Sequence, residues 1–259
     1  MVLEEEVEKE IFKKVEKYPK CKKVIEILFQ DPEINALLEQ ANRVSIGRLG
    51  YNDHGPVHAK IVVLNSLKIY EILREKFEAN ILKEKIGSEE DVLVVLCLGS
   101  YLHDIGVSIA RDLHEILGVI LVKEKVKEIL TSLYDIEKAS KMLPIVLECI
   151  ACHMGNLQAT SLEARIVEVS DGTDITKGRA RIPFHIGKED IHKFSALAIN
   201  EIKIMKGEEK PIKILVEMDD SAGIFQIEET LLKKVKGANF EDLVEVIAHV
   251  EGKGEFTYP

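Results

Sequence analysis

The side chains in this 259-residue chain best suited to binding a divalent metal are His58, the adjacent pair His103 and Asp104, His114, His153 and Asp171. Imidazole nitrogens combined with carboxylate oxygens suit iron, manganese, zinc or nickel. An ion so held lowers the pKa of water and makes it a nucleophile at neutral pH. Taken singly, each residue reads as a buried histidine with a partner or a surface aspartate. As an ordered set they read differently. His103-Asp104 follows the apolar run Val92–Leu98, and Asp171 follows Ala164–Val169, so ionisable groups meet core. An unpaired buried carboxylate is costly, and a bound cation removes that cost.

Further groups cluster near these positions. His54 lies one helical turn before His58, placed to support a ligand or touch a substrate. Asp174 is three residues past Asp171, close enough to orient a ligand. Lys177, Arg179 and Arg181 follow at once in a chain that is otherwise acidic. Cations there suit a phosphate beside the metal, since arginine binds oxyanions bidentately.

The elements that must position these residues are mainly helical. Apolar residues recur at three and four from Glu4 to about Thr176, with Pro and Gly mostly at junctions. Helices are expected over Glu4–Lys17, after Asp31-Pro32, from Pro56 to about Lys85, and from Ser88 to His103-Asp104. Others should run from Asp112 to Leu130, from Asp135 to Cys152, and from a Thr160-x-x-Glu163 capping box to about Ile175. Neighbours such as His103 and Asp104 point about 100° apart on a helix. Both reach one site only at a helix end or bend, for which Gly106 offers the place. After about Pro183 the period changes to alternation, in Ile202–Ile204, Ile212–Met218 and Leu243–Val250. A helical face of Ile224, Ile227, Leu231 and Val235 lies between the last two. The fold class is therefore mainly α: a helical bundle over 1–184 with a small α+β domain (β-β-α-β) over 185–259.

Composition excludes several functions. The chain is 46% apolar and 31% charged, the profile of a folded globular protein. Its net charge of −10 opposes non-specific binding of nucleic acid and of anionic lipid surfaces. The longest uncharged apolar run, Val92–Leu102, falls short of the roughly 20 residues that span a bilayer. The acidic start Glu4-Glu5-Glu6 is unlike a secretory signal, which makes the cytoplasm the expected compartment. The four cysteines are too irregular for a disulfide framework. Cys149-Ile150-Ala151-Cys152-His153 spells the c-type haem attachment pattern, but it lies in an apolar helix of a chain without an export signal.

At these residues the sequence resembles the HD superfamily of metal-dependent phosphohydrolases, whose ordered signature is His, His-Asp, Asp. His58 in HGPVHAKIV resembles the first ligand, His103-Asp104 in YLHDIG the doublet, and Asp171 in ARIVEVSDGTDITKGRARIPF the last. The resemblance covers about residues 50–184. It implies a helical domain holding a divalent metal. In members with two ions, two further histidines between the doublet and the last Asp complete a site bridged by the doublet's Asp, and His114 and His153 occupy that interval. Two ions are therefore expected, with His103 and Asp104 at the catalytic centre. Val107 stands where the cyclic di-GMP subgroup has lysine, and GYP is absent, so that substrate is not implied.

The expected activity is hydrolysis of a phosphate ester of a nucleotide or related small molecule. The expected partners are a small phosphorylated substrate and a second copy in a homodimer, with no membrane. Two other readings stand beside it: a two-iron oxygenase of the same superfamily, and a non-catalytic module in which the metal is structural and the C-terminal part senses a ligand or dimerises.

Overall fold

A computed structural model describes residues 2–179 and 191–258. Arg181 and the expected division between residues 184 and 185 lie outside the described residues. The helical part consists of α1 (Val2–Val15), α2 (Pro19–Gln30), α3 (Pro32–Asn42), α4 (Pro56–Leu73), α5 (Asn80–Lys83), α6 (Glu89–Leu102), α7 (His114–Leu133), α8 (Ile136–Cys152) and α9 (Leu162–Gly172). Local chemistry sets many of these boundaries. Pro19, Pro32 and Pro56 each open a helix, where a missing N–H leaves nothing unsatisfied. The Asp31 carboxylate accepts from the backbone N–H groups of Glu33 and Ile34 and caps α3. Ser88 and Asp91 close a capping box at the start of α6.

Two expectations need correction, and one residue causes both. The helix expected from Pro56 to Lys85 stops at Leu73 and resumes as the short α5. The Glu163 carboxylate accepts from the backbone N–H groups of Asn80 and Ile81, at 3.1 and 2.9 Å, and so fixes a new helix start. Glu163 is thereby withdrawn from the expected capping box. Ser161 rather than Thr160 caps α9, accepting from Ala164 N–H, while the Thr160 hydroxyl donates to Glu148.

Helix α6 is buried on every side from Asp91 to Leu102 and packs against α2, α4, α8 and α9. The stretch Glu89–Ser108 is long and apolar enough to cross a membrane, yet 94% of that window is buried within the fold, the position of a core helix.

After α10 (Ile191–Leu197) come β1 (Ile199–Lys206), β2 (Ile212–Met218), β3 (Val244–Val250) and β4 (Gly254–Tyr258), in that spatial order. The β1–β2 and β3–β4 pairs are antiparallel, and β2–β3 is parallel with Ile212 opposite Val244. The crossover joining the parallel pair contains α11 (Ile224–Gln226), a π-helical turn (Ile227–Leu231) and α12 (Leu232–Gly237). Alternation turns Ile212, Ile214, Val216 and Met218 inward on β2. The β-β-α-β order is thus found, with β4 added. That strand is short and mostly exposed, so it carries no buried alternation for the sequence to display. Buried apolar residues from Val7 in α1 to Val250 in β3 form one continuous cluster, with β1 against α4 and α12 against α9.

Candidate metal centre

The end of α6 explains how two neighbouring residues serve one site. His103 caps its C-terminal end, directly after Leu102, and at Asp104 (φ −96°, ψ 1°) the backbone turns into the 3₁₀ segment Ile105–Ser108. Gly106 then crosses the first turn of α7 so closely that a Cβ there would lie 2.0 Å from the His114 carbonyl oxygen. The residue anticipated as a bend therefore acts through close approach, bringing His114 to the doublet. His153 caps the C-terminal end of α8, Asp171 lies near the end of α9, and His58 occupies the first turns of α4. All six side chains are buried.

Local hydrogen bonds fix the ring tautomers. His103 and His153 each donate Nδ1–H to the carbonyl three residues back, Ser100 and Ile150, at 2.7 Å, using oxygens that a helix end leaves free. His114 donates Nδ1–H to the Arg111 carbonyl at 2.8 Å, and His58 Nδ1 meets the Asp174 carboxylate at 2.7 Å. Every Nε2 is left facing inward. His58 and His103 face each other at 3.1 Å, and His114 and His153 at 3.0 Å. Two lone pairs at such a distance repel unless a cation lies between them.

Asp104 links the two pairs. Its Oδ2 lies 3.3 Å from both His58 and His103 Nε2, and its Oδ1 lies 3.2 Å from His114 and 3.4 Å from His153 Nε2. Asp171 Oδ1 completes the first group at 3.2 Å from His58 and 3.6 Å from His103. Two ligand sets result, His58-His103-Asp104-Asp171 and Asp104-His114-His153, with one carboxylate in common. Among the described residues Asp104 Oδ2 is buried without a hydrogen-bond donor, an orphan acceptor of the kind an ion satisfies. The residues present therefore fit a pair of divalent cations.

The electrostatics agree. Burial would raise the Asp104 carboxyl, but His103, by charge and by hydrogen bond, and then His114 hold it well below the usual carboxylate range. Burial and Arg179 oppose a charge on His58, yet the carboxylates of Asp104, Asp171 and Asp174 push it up to about 10, so a proton serves there in place of a larger cation. Burial, against the pull of Asp104, leaves His153 at about 4.

The remaining expected residues divide. Asp174, buried, orients His58. The Arg179 guanidinium stands 3.2 Å from His58 Nε2 and within 4.0 Å of Asp104 and 3.8 Å of Asp171. His54 Nδ1 meets the Asn52 carbonyl at 2.7 Å, which directs Nε2 toward Asp104 Oδ2 at 4.0 Å. Burial keeps this ring well below the usual histidine pKa and hence neutral. Lys177 does not join them: its ammonium bonds Asn200 on β1 at 2.5 Å, because two residues along the chain from Arg179 it leaves on another side. Asp104, Asp171, His54 and Arg179 open on a pocket of about 320 Å³, together with Arg111, Met154, Glu229, Thr230, Lys233 and Lys234. Lys234 was not anticipated. Its ammonium sits 2.7 Å from Asp171 Oδ2, and a lysine on a short amphipathic segment gives no sequence signal for such a contact.

Comparison with known proteins places the sequence among relatives. Residues 58–176 match the family described as HD domain. An uncharacterized protein, MJ1020 of Methanocaldococcus jannaschii, is 43% identical over 231 residues, which is 89% of each chain. No solved structure matches.

Proposed function

Because the chain belongs to the HD-domain family, we propose that it is a metal-dependent phosphohydrolase cleaving a phosphate ester of a nucleotide or similarly small molecule. The observation that carries this reading is the division of Asp104, one oxygen toward each facing pair of Nε2 atoms. His58, His103, Asp104 and Asp171 would hold one ion, and Asp104, His114 and His153 the other. When bound, such ions lower the pKa of water to give a nucleophile at neutral pH.

The chain's own groups supply the rest. Arg179 and Arg111 line the pocket and offset charge on phosphoryl oxygens, where charge-assisted hydrogen bonds are strong. His54 presents an unprotonated Nε2 to the same space and accepts a proton or hydrogen bond there. Asp174 keeps His58 turned with Nε2 inward. A pocket of about 320 Å³ admits a small ester and supports a small-molecule substrate over a polymer.

The test is elemental analysis of purified protein, followed by a screen of phosphate release from mononucleotides, dinucleotides, alarmones and sugar phosphates with the metal found. Asp104→Ala is expected to lose both ions and to fall more than about 100-fold in activity, beyond the effect typical of outer-sphere changes. Full activity in that variant would refute the assignment. Oxygen uptake by iron-loaded protein without phosphate release would favour an oxygenase instead.

A further inference from the structure

Lys234 belongs to α12, in the crossover of the C-terminal sheet, yet it reaches the helical part's ligands. The residue is buried, 8% exposed. The ammonium lies 2.7 Å from Asp171 Oδ2, donates to the His153 backbone carbonyl at 2.5 Å, and has Met154 Sδ at 3.5 Å. An ammonium has three donors and no acceptor. Here two of them grip the two chain ends that deliver ligands, α9 through Asp171 and α8 through His153. The first grip selects an oxygen: with Oδ2 taken by Lys234, Asp171 turns Oδ1 toward His58 and His103.

The surroundings are built around this reach. Gly172 directly follows Asp171, and a Cβ at that position would lie 2.9 Å from both Cβ and Cγ of Lys234. Glycine there leaves room for the lysine stem against α9. Thr230, Lys233 and Glu229, from the same crossover, line the pocket beside it.

We propose that Lys234 is a positioning residue which holds Asp171 and the His153 turn in register for both ions, so that the C-terminal part completes the metal centre. This rests on the two-ion reading given above. Outer-sphere groups that orient ligands change metal affinity by about 10–100-fold when removed.

The experiment is calorimetric titration of the full chain with manganese alone. Wild type is expected to take up two equivalents. Lys234→Met keeps the apolar stem and removes the ammonium, and it should weaken manganese binding about 10–100-fold. Lys234→Arg should recover part of that loss, and Lys236→Met, an exposed change on the same helix, should match wild type. Lys234→Met with wild-type stoichiometry and affinity would overturn the proposal. If that variant melts below the assay temperature, Gly172→Ala tests the same contact from α9 by displacing the lysine stem, and unchanged affinity there would overturn it too. Wild type that binds no manganese would instead overturn the two-ion reading, and this assignment with it.

Discussion

Glu168 lies one helical turn before Asp171, and among the described residues neither of its carboxylate oxygens has a hydrogen-bond donor. It is wedged between two glycine backbones: a Cβ on Gly237 would sit 2.1 Å from its Oε1, and one on Gly155 2.9 Å. Burial pushes its carboxyl up to about 7, with Lys234 resisting and Asp171 assisting. An unfolded chain releases that proton near 4.5. Between those values the folded chain binds the extra proton, so stability from this group declines as pH rises, and the full penalty applies above about 7. Glu168→Gln is therefore expected to raise Tm by a few degrees at pH 8, with the gain shrinking steadily toward pH 5. Melting curves across that range check it, and an equal gain at every pH would sink the argument. The same scale separates what the sequence disclosed from what it did not. His58, His103-Asp104 and Asp171 were legible because metal chemistry limits the residue types and motif spacing orders them. Lys234 and Glu168 were not, since a lysine or glutamate on an amphipathic helix reads as surface until the packing of another element encloses it.

Elements carry ligands by their ends. Helix α6 stops at His103, and the turn that follows must pass α7 at backbone contact, with Gly106 and Gly118 facing each other across the crossing. Gly106→Ala places a methyl group where the His114 carbonyl already is, so the two segments must separate. Overpacking of this kind costs about 1–3 kcal/mol, occasionally more. The expected result is a lower Tm together with selective loss of the ion held by Asp104, His114 and His153, measured by metal content after dialysis. A variant that retains two ions per chain would show that the crossing tolerates more space than its geometry implies. Element boundaries were less legible than element types. Nothing in Arg74-Glu75-Lys76-Phe77-Glu78 forbids a helix, and the break after Leu73 comes from the distant Glu163. Strand β4 escaped notice for a different reason, being almost wholly exposed.

At the scale of the whole molecule, the helical part and the sheet share one apolar cluster, and Lys234 ties them a second time through the site. Such a chain should melt in one cooperative step, which scanning calorimetry resolves as a single peak whose van't Hoff and calorimetric enthalpies agree. An early peak belonging to the sheet alone would contradict the shared core. Ions bound only by the folded form add about 4 kcal/mol when present at a thousand times their Kd. Chelation is therefore expected to lower Tm by about 10 °C in a protein of this size. The groups gathered at the pocket run from His54 to Lys234, across more than half of the sequence. During synthesis the ribosome releases the first histidines long before the lysine that steadies their partners. A half-made chain consequently lacks His153 and Asp171, and the centre would reach its full affinity for ions only when the last crossover has docked.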